Sequence, residues 1–173
     1  MKVLAFGASS SAQSINKTLA TYAADLIEGA TVTVLDLNDF AMPLFSEDSE
    51  KEFGVPSEAQ AFLDEIADAD LLVVSFAEHN GCYTAAYKNT FDWASRLVTK
   101  VYQNKPVIAL STSPGPGGAK SVLALALNNL PFFQANVLGS LSIPSFYDVM
   151  KDGKIVDEEV QQSLVALMSK AHV

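Results

Sequence analysis

The stretch "VLAFGASSSAQSIN", residues 3–16, decides the fold class. Val3–Phe6 is apolar without a break, as suits a strand covered on both faces. A strand over Val3–Gly7 then turns through small residues, and Ser14 stands where the cap of a following helix belongs. Strand, small-residue loop and helix form the first half of a β–α unit, and such a loop is where α/β proteins often place an anion. The loop carries Ser9, Ser10, Ser11, Ser14 and Asn16 but no Lys or Arg. Its hydroxyls, amide and helix N–H groups suit a phosphate, and they equally suit a capped helix beneath a solvated serine loop. It has neither the Gly-Lys-Ser/Thr ending of a Walker loop nor a GxGxxG pattern.

The same alternation recurs along the chain. Strands are expected at Thr31–Leu37, Asp70–Phe76, Pro106–Ser111 and Gln134–Gly139, and helices at Ile15–Glu28, Ser57–Ala67, Ala85–Lys100, Gly118–Leu130 and Asp157–Lys170. Five β–α pairs predict an α/β fold: a three-layer, doubly wound, five-stranded parallel sheet. "LLVVSF" and "VIAL" are continuously apolar, whereas "TVTVLDL" interleaves polar residues and "QANVLG" is short and mixed. The second and fifth strands therefore belong at the edges, which is the order 2-1-3-4-5. In such a sheet ligands sit beyond the carboxyl ends of the strands, at the switch between the first and third.

Composition narrows the function. The 173 residues are expected to form one domain, residues 1–173, with no repeat or linker. A net charge of −9 disfavours nucleic acid and anionic membranes as partners. The lone Cys82 cannot form an internal disulfide, and no apolar run approaches the ~20 residues of a membrane span, so a cytoplasmic location is expected. "MKVLAFGASSS" reads as a buried first strand rather than a signal peptide.

Two further loops leave the same edge. "AEHNGCYTAA" contains Asn80-Gly81, a pair that favours a tight turn with positive φ. "STSPGPGGAK" offers little side-chain bulk and is longer than a plain strand-to-helix turn. Each alone is a turn; three together suggest a binding edge. Nothing in the chain forms a persuasive catalytic triad or metal cluster, since its two histidines are His79 and His172. "EDSEKE" at Glu47–Glu52 reads as a solvated loop, Lys120 as a solvated lysine, Cys82 as a small buried thiol, and Asp92 and Arg96 as an i,i+4 pair.

These loops resemble the NADPH-dependent FMN reductase family of flavodoxin-like proteins, which includes quinone, azo-dye and chromate reductases. The family's first loop has the form G-S-x-R-x-x-S-x-N, matched here by Ser14-Ile15-Asn16. Its second signature, P-E-Y-N-G-S-x-P-x-x-L-K-N-A-I-D-W-x-S-R, is matched in "AEHNGCYTAAYKNTFDWASR" at Glu78, Asn80, Gly81, Lys88, Asn89, Asp92, Trp93, Ser95 and Arg96. The third, S-x-G-x-x-G-G, corresponds loosely to Ser113, Gly115, Gly117 and Gly118. The chain departs at Ser11, where Arg is usual, and at Ala77, His79 and Thr84, where Pro, Tyr and Pro are usual; its first loop is one residue longer.

The resemblance implies an FMN-dependent NAD(P)H oxidoreductase passing electrons from NADPH or NADH to a quinone, free flavin or similar small acceptor. It implies that Ser9, Ser11, Ser14, Ile15 and Asn16 hold the FMN phosphate, that Glu78, His79, Asn80 and Gly81 line the isoalloxazine edge, and that Ser113 and Gly115 complete the pocket. The flavin carries the chemistry, so no catalytic side chain or metal is required. It further implies a homodimer or homotetramer through the helix carrying Lys88 to Arg96, with at least one of Tyr87, Phe91 and Trp93 buried there. Two other classes share the fold: an electron carrier like flavodoxin, and an interaction protein that has lost the flavin.

Overall fold

A computed structural model describes residues 1–172. In chain order, β1 (Lys2–Ala8) leads to α1 (Ile15–Asp25), β2 (Thr31–Leu35), α2 (Glu47–Phe53), α3 (Ser57–Asp68) and β3 (Leu71–Phe76). A small hairpin, β4 (Glu78–His79) and β5 (Cys82–Tyr83), precedes α4 (Ala85–Leu97), β6 (Pro106–Thr112) and α5 (Lys120–Asn129). The chain continues through β7 (Asn136–Ile143), a short α6 (Phe146–Val149), a second hairpin of β8 (Met150–Lys151) and β9 (Lys154–Ile155), and α7 (Glu158–Met168). The main sheet is parallel in the order β2-β1-β3-β6-β7. This is the expected 2-1-3-4-5 order once the hairpin strands are set aside.

Burial follows the alternation of a pleated strand. Val3 and Ala5 face a core with Leu19, Ala23, Leu164 and Met168 of α1 and α7. Leu4 and Phe6 face the opposite core with Phe62, Tyr87, Phe91 and Val122 of α3, α4 and α5. Every residue of β3 is buried, whereas β2, at the edge, leaves Thr31, Thr33 and Val34 exposed.

One buried amide ties the layers to the sheet. Asn16 in α1 accepts at Oδ1 from Ser75 Oγ (2.7 Å) and from the Thr112 backbone N–H (3.1 Å), and its Nδ2 donates to the Thr112 carbonyl (3.3 Å). The helix can approach this closely because residue 7 is glycine: a Cβ there would lie 2.8 Å from Lys17 Cα and 2.9 Å from the Asn16 carbonyl carbon.

The structure corrects several sequence expectations. The second strand ends at Leu35, because Asp36 caps a 3-10 turn (Leu37–Phe40), accepting from Asn38 N (2.9 Å), and pairs with Lys17. That ammonium holds the Asp36 carboxyl below its usual range. The Glu47–Glu52 stretch is helical, not a loop: Ser46 caps α2 and Gly54 ends it at φ 75°, although none of its residues is buried. The last strand runs on to Ile143 past Gly139, where a Cβ would meet the Leu167 side chain of α7 at 2.6 Å.

On α4, Arg96 does not pair with Asp92. Asp92 takes Lys88 (2.7 Å), and Arg96 reaches Glu50 of α2 (3.0 Å) across the Phe45 ring. Tyr87, Phe91 and Trp93 are already buried inside the chain, so core packing accounts for all three. Trp93 Nε1 donates to the Pro43 carbonyl (2.7 Å), while Asn89 accepts from Phe45 N (2.8 Å) and donates to the Met42 and Pro43 carbonyls. The Asn89, Trp93 and Arg96 part of the signature thus clasps the 41–53 segment.

The hydroxyls of Tyr87 and Tyr102 share a hydrogen bond in this core. Burial pushes both phenols well above the ordinary tyrosine range. Unfolded tyrosines ionise near pH ~10 while these two stay protonated, so their contribution is complete below that range and falls as pH rises. Urea midpoints should therefore drop from about pH 9 to about pH 11, and drop less in a Tyr87→Phe/Tyr102→Phe variant. Asn16→Ala strands the buried Thr112 N–H, and chemical denaturation should show a loss of about 2 kcal/mol or more.

Candidate functional site

The amino-terminal turn of α1 leaves backbone donors free. Ser14 Oγ accepts from Lys17 N (3.1 Å), which leaves the N–H groups of Ile15 and Asn16 without a partner among the described residues. They point out of the helix end with its partial positive charge. Ser9 Oγ accepts from Ser11 N (3.1 Å) and shapes the loop, while the Ser11 side chain is exposed.

Three loops meet here in a cleft of about 260 Å³ at the carboxyl ends of β1, β3 and β6. Of the residues expected at the site, Ser9, Ser11, Ser14, Ile15, Asn16, Glu78, His79 and Ser113 line it. Asn80, Gly81 and Gly115 lie outside its wall: Asn80 (φ 54°) and Gly81 (φ 77°) form the exposed turn of the β4–β5 hairpin, and the Gly115 carbonyl accepts from Ser145 N (2.9 Å). Sequence reasoning missed Gln13, Ala77, Thr112, Pro114 and Tyr147 in the lining. Tyr147, an exposed aromatic just beyond the carboxyl end of β7, is the one with a readable signal.

Two side chains of the site have structural duties. The Asn16 amide is engaged by Thr112 and Ser75, so toward a ligand this residue offers its backbone N–H. Glu78 Oε2 accepts from Val122 N (2.9 Å) in the first turn of α5, whose N-cap, Ala119 at φ 57°, has no capping side chain. Thr84 replaces the family proline with a clamp: its Oγ1 donates to the Ala8 carbonyl (2.9 Å) and accepts from Tyr87 N (3.2 Å), pinning α4 to the end of β1. Cys82 is exposed on the hairpin rather than buried, and Lys120 is exposed as expected.

The lining contains no Lys or Arg, and Lys17 is held away by Asp36. Any anion bound here is held by N–H groups and hydroxyls. A doubly wound parallel sheet in the order β2-β1-β3-β6-β7, with a cleft at its switch point, defines the flavodoxin-like fold. Residues 1–148 match the family of NADPH-dependent FMN reductases. The chain is 30% identical over 147 residues to an NADPH:quinone oxidoreductase of Arabidopsis thaliana, covering 80% of this chain and 71% of that protein. It is 32% identical over 137 residues to a 2-hydroxy-1,4-benzoquinone reductase of a Burkholderia species, covering 75% and 72%. Its fold superimposes on FerB, a flavoenzyme NAD(P)H:(acceptor) oxidoreductase from Paracoccus denitrificans, with a TM-score of 0.77 at 23% identity, over 99% of this chain and 97% of that one. The chain belongs to the NADPH-dependent FMN reductase family: it is a flavin-dependent NAD(P)H oxidoreductase with FMN as cofactor. The free N–H groups and hydroxyls at the start of α1 fit the phosphate of that cofactor.

Glu78→Ala removes the only side-chain acceptor at the start of α5 among the described residues and should cost about 1 kcal/mol, read as a lower Tm. Glu78→Gln keeps an acceptor there and should lose less than half as much.

Proposed function

We propose that the cleft binds FMN and that the chain uses NADPH or NADH to reduce a quinone or similar small acceptor. The observation that carries this reading is the unpartnered N–H pair of Ile15 and Asn16 at the point where three loops converge. Ser9, Ser11 and Ser14 add hydroxyls around the phosphate, and Ser14 also holds the helix end in shape. Bound there, FMN supplies hydride acceptance from the nicotinamide and delivery to the acceptor.

The protein's part is orientation and charge. The β4–β5 turn, closed by Asn80-Gly81 at positive φ, sets the backbone of Glu78 and His79 against the ring edge. With its carboxylate engaged by α5, Glu78 contributes through its backbone. Ser113 closes the cradle, and its Oγ donates to the carbonyl of Gly115 behind the wall (3.1 Å). The relatives named for quinone reduction support the acceptor class.

The whole chain acts as one domain and assembles as a homodimer or homotetramer beside α4. Exposed Leu44 and Phe53 of the clasped segment, with Leu97 at the end of α4, supply apolar surface for that contact. A cytoplasmic location is supported by the single cysteine and by the lack of a described helix long and apolar enough to cross a membrane.

Purified protein mixed with FMN should show a raised Tm and a bound-flavin spectrum. NADPH should bleach that spectrum within the turnover time, and a quinone should restore it. No Tm shift with FMN refutes the site, and bleaching that requires a second protein refutes the reductase in favour of an electron carrier. Ser11→Arg supplies a cation beside the phosphate and should tighten FMN roughly tenfold in a fluorescence titration. Ser14→Ala should weaken it.

A further inference from the structure

The chain that leaves β7 adds to the cleft a residue that none of the three loops supplies. It is tied to the third loop by hydrogen bonds: Thr112 Oγ1 donates to the Ile143 carbonyl (2.7 Å), Ser145 N to the Gly115 carbonyl (2.9 Å) and Phe146 N to the Ser113 carbonyl (3.0 Å). Ser145, at φ 50°, turns the chain there, and Phe146 enters the core shared with α1 and α7. Tyr147 is turned the other way: it is 59% exposed and lines the cleft. The two rings meet edge to face with centroids 5.5 Å apart, which limits where the Tyr147 ring can go.

Hydrogen bonds place this residue at the α1 end of the cleft. Thr112 binds the Asn16 amide through its N–H and its carbonyl, so the start of α1 lies against the end of β6. Ser113, the next residue, takes the Phe146 N–H, and Tyr147 follows directly on that contact. Glu78 and His79 reach the cleft from the end of β3, on the other side of β6 from β7. The donors at the α1 end are the Ile15 and Asn16 N–H groups and the hydroxyls of Ser9, Ser11 and Ser14, with no Lys or Arg in the wall. Lys151, four residues beyond Tyr147, donates to the Tyr147 carbonyl and lies outside the wall. The Tyr147 hydroxyl has no partner among the described residues. A phenol ionises near pH ~10, so at neutral pH it is a donor, and it donates to an anion more strongly than an aliphatic hydroxyl does.

We infer that the Tyr147 hydroxyl donates to the phosphate of bound FMN, and that the cleft thereby discriminates FMN from riboflavin, which has the same ring and ribityl chain without the phosphate. This rests on the FMN reading of the cleft and adds to it a residue from outside the three loops. A phosphate held without a cation depends on the number and strength of its neutral donors, so one phenol among a few serines carries a large share of the discrimination.

The test is fluorescence titration of the full chain and of Tyr147→Phe and Tyr147→Ala with FMN and with riboflavin. Tyr147→Phe keeps the ring and removes the hydroxyl; it should weaken FMN roughly tenfold and leave riboflavin unchanged. Tyr147→Ala should weaken FMN at least as much. Equal FMN affinity in the unaltered chain and Tyr147→Phe overturns the proposal, as does an equal loss for FMN and riboflavin. A loss of both flavins in Tyr147→Ala with none in Tyr147→Phe assigns the residue to ring contact and also overturns it. Should riboflavin bind too weakly to titrate, inorganic phosphate should raise the Tm of the unaltered chain more than that of Tyr147→Phe, and an equal rise overturns the proposal. An unaltered chain that binds no FMN removes the reading of the cleft and this proposal with it, whereas FMN binding untouched by Tyr147→Phe removes the proposal alone.

Discussion

Everything at the carboxyl edge of this sheet depends on one buried side-chain amide. Asn16 sits in the first turn of α1 and bonds to β3 through Ser75 and to β6 through Thr112. Unpaired, such a group would cost folding free energy on burial; paired three times, it registers the helix against two central strands. That register sets where the Ile15 and Asn16 N–H groups point. The cradle is therefore a consequence of a structural bond, and residue 7 is held to glycine by the same close approach.

On the proposed reading, the cleft would hold a phosphate without a cation. Lys17 is adjacent in sequence but is consumed by Asp36, which caps the turn after β2. A helix terminus with free N–H groups and several hydroxyls supplies what remains, and such groups carry no desolvation penalty of the size an unpaired ammonium would. The third loop is braced similarly. Gly118 accepts from Ser111 and Ser142, and the start of α5 leans on Glu78 from the neighbouring loop. The second and third loops are thereby one mechanical unit.

The helix that carries the family's most specific signature is mostly occupied with its own chain. Asn89, Trp93 and Arg96 hold the 41–53 segment; Tyr87 and Phe91 join the core; Lys88 and Asp92 satisfy each other. A fixed spacing of residues in sequence marks a fixed set of contacts, and those contacts need not be with ligand or partner subunit.

The fold was legible in the sequence because it depends on local periodicity. Continuous apolar runs and a polar-interleaved second strand are enough to order the sheet, since burial on two faces or one is written into each strand. Ser14 and Asn80-Gly81 likewise act on their own neighbours, and each did what its local chemistry requires. Contacts between distant segments were not legible. That Glu78 caps α5, that Arg96 chooses Glu50 over Asp92, and that Asn16 spends its amide on strands rather than ligand all depend on which side chains the tertiary packing brings within about 3 Å, a range no linear spacing encodes. The sequence by itself determined the sheet, its edges and the three loops at one end; the tertiary structure decided which groups in those loops remain free to meet a ligand, because hydrogen-bonding capacity is finite and packing settles where it goes first.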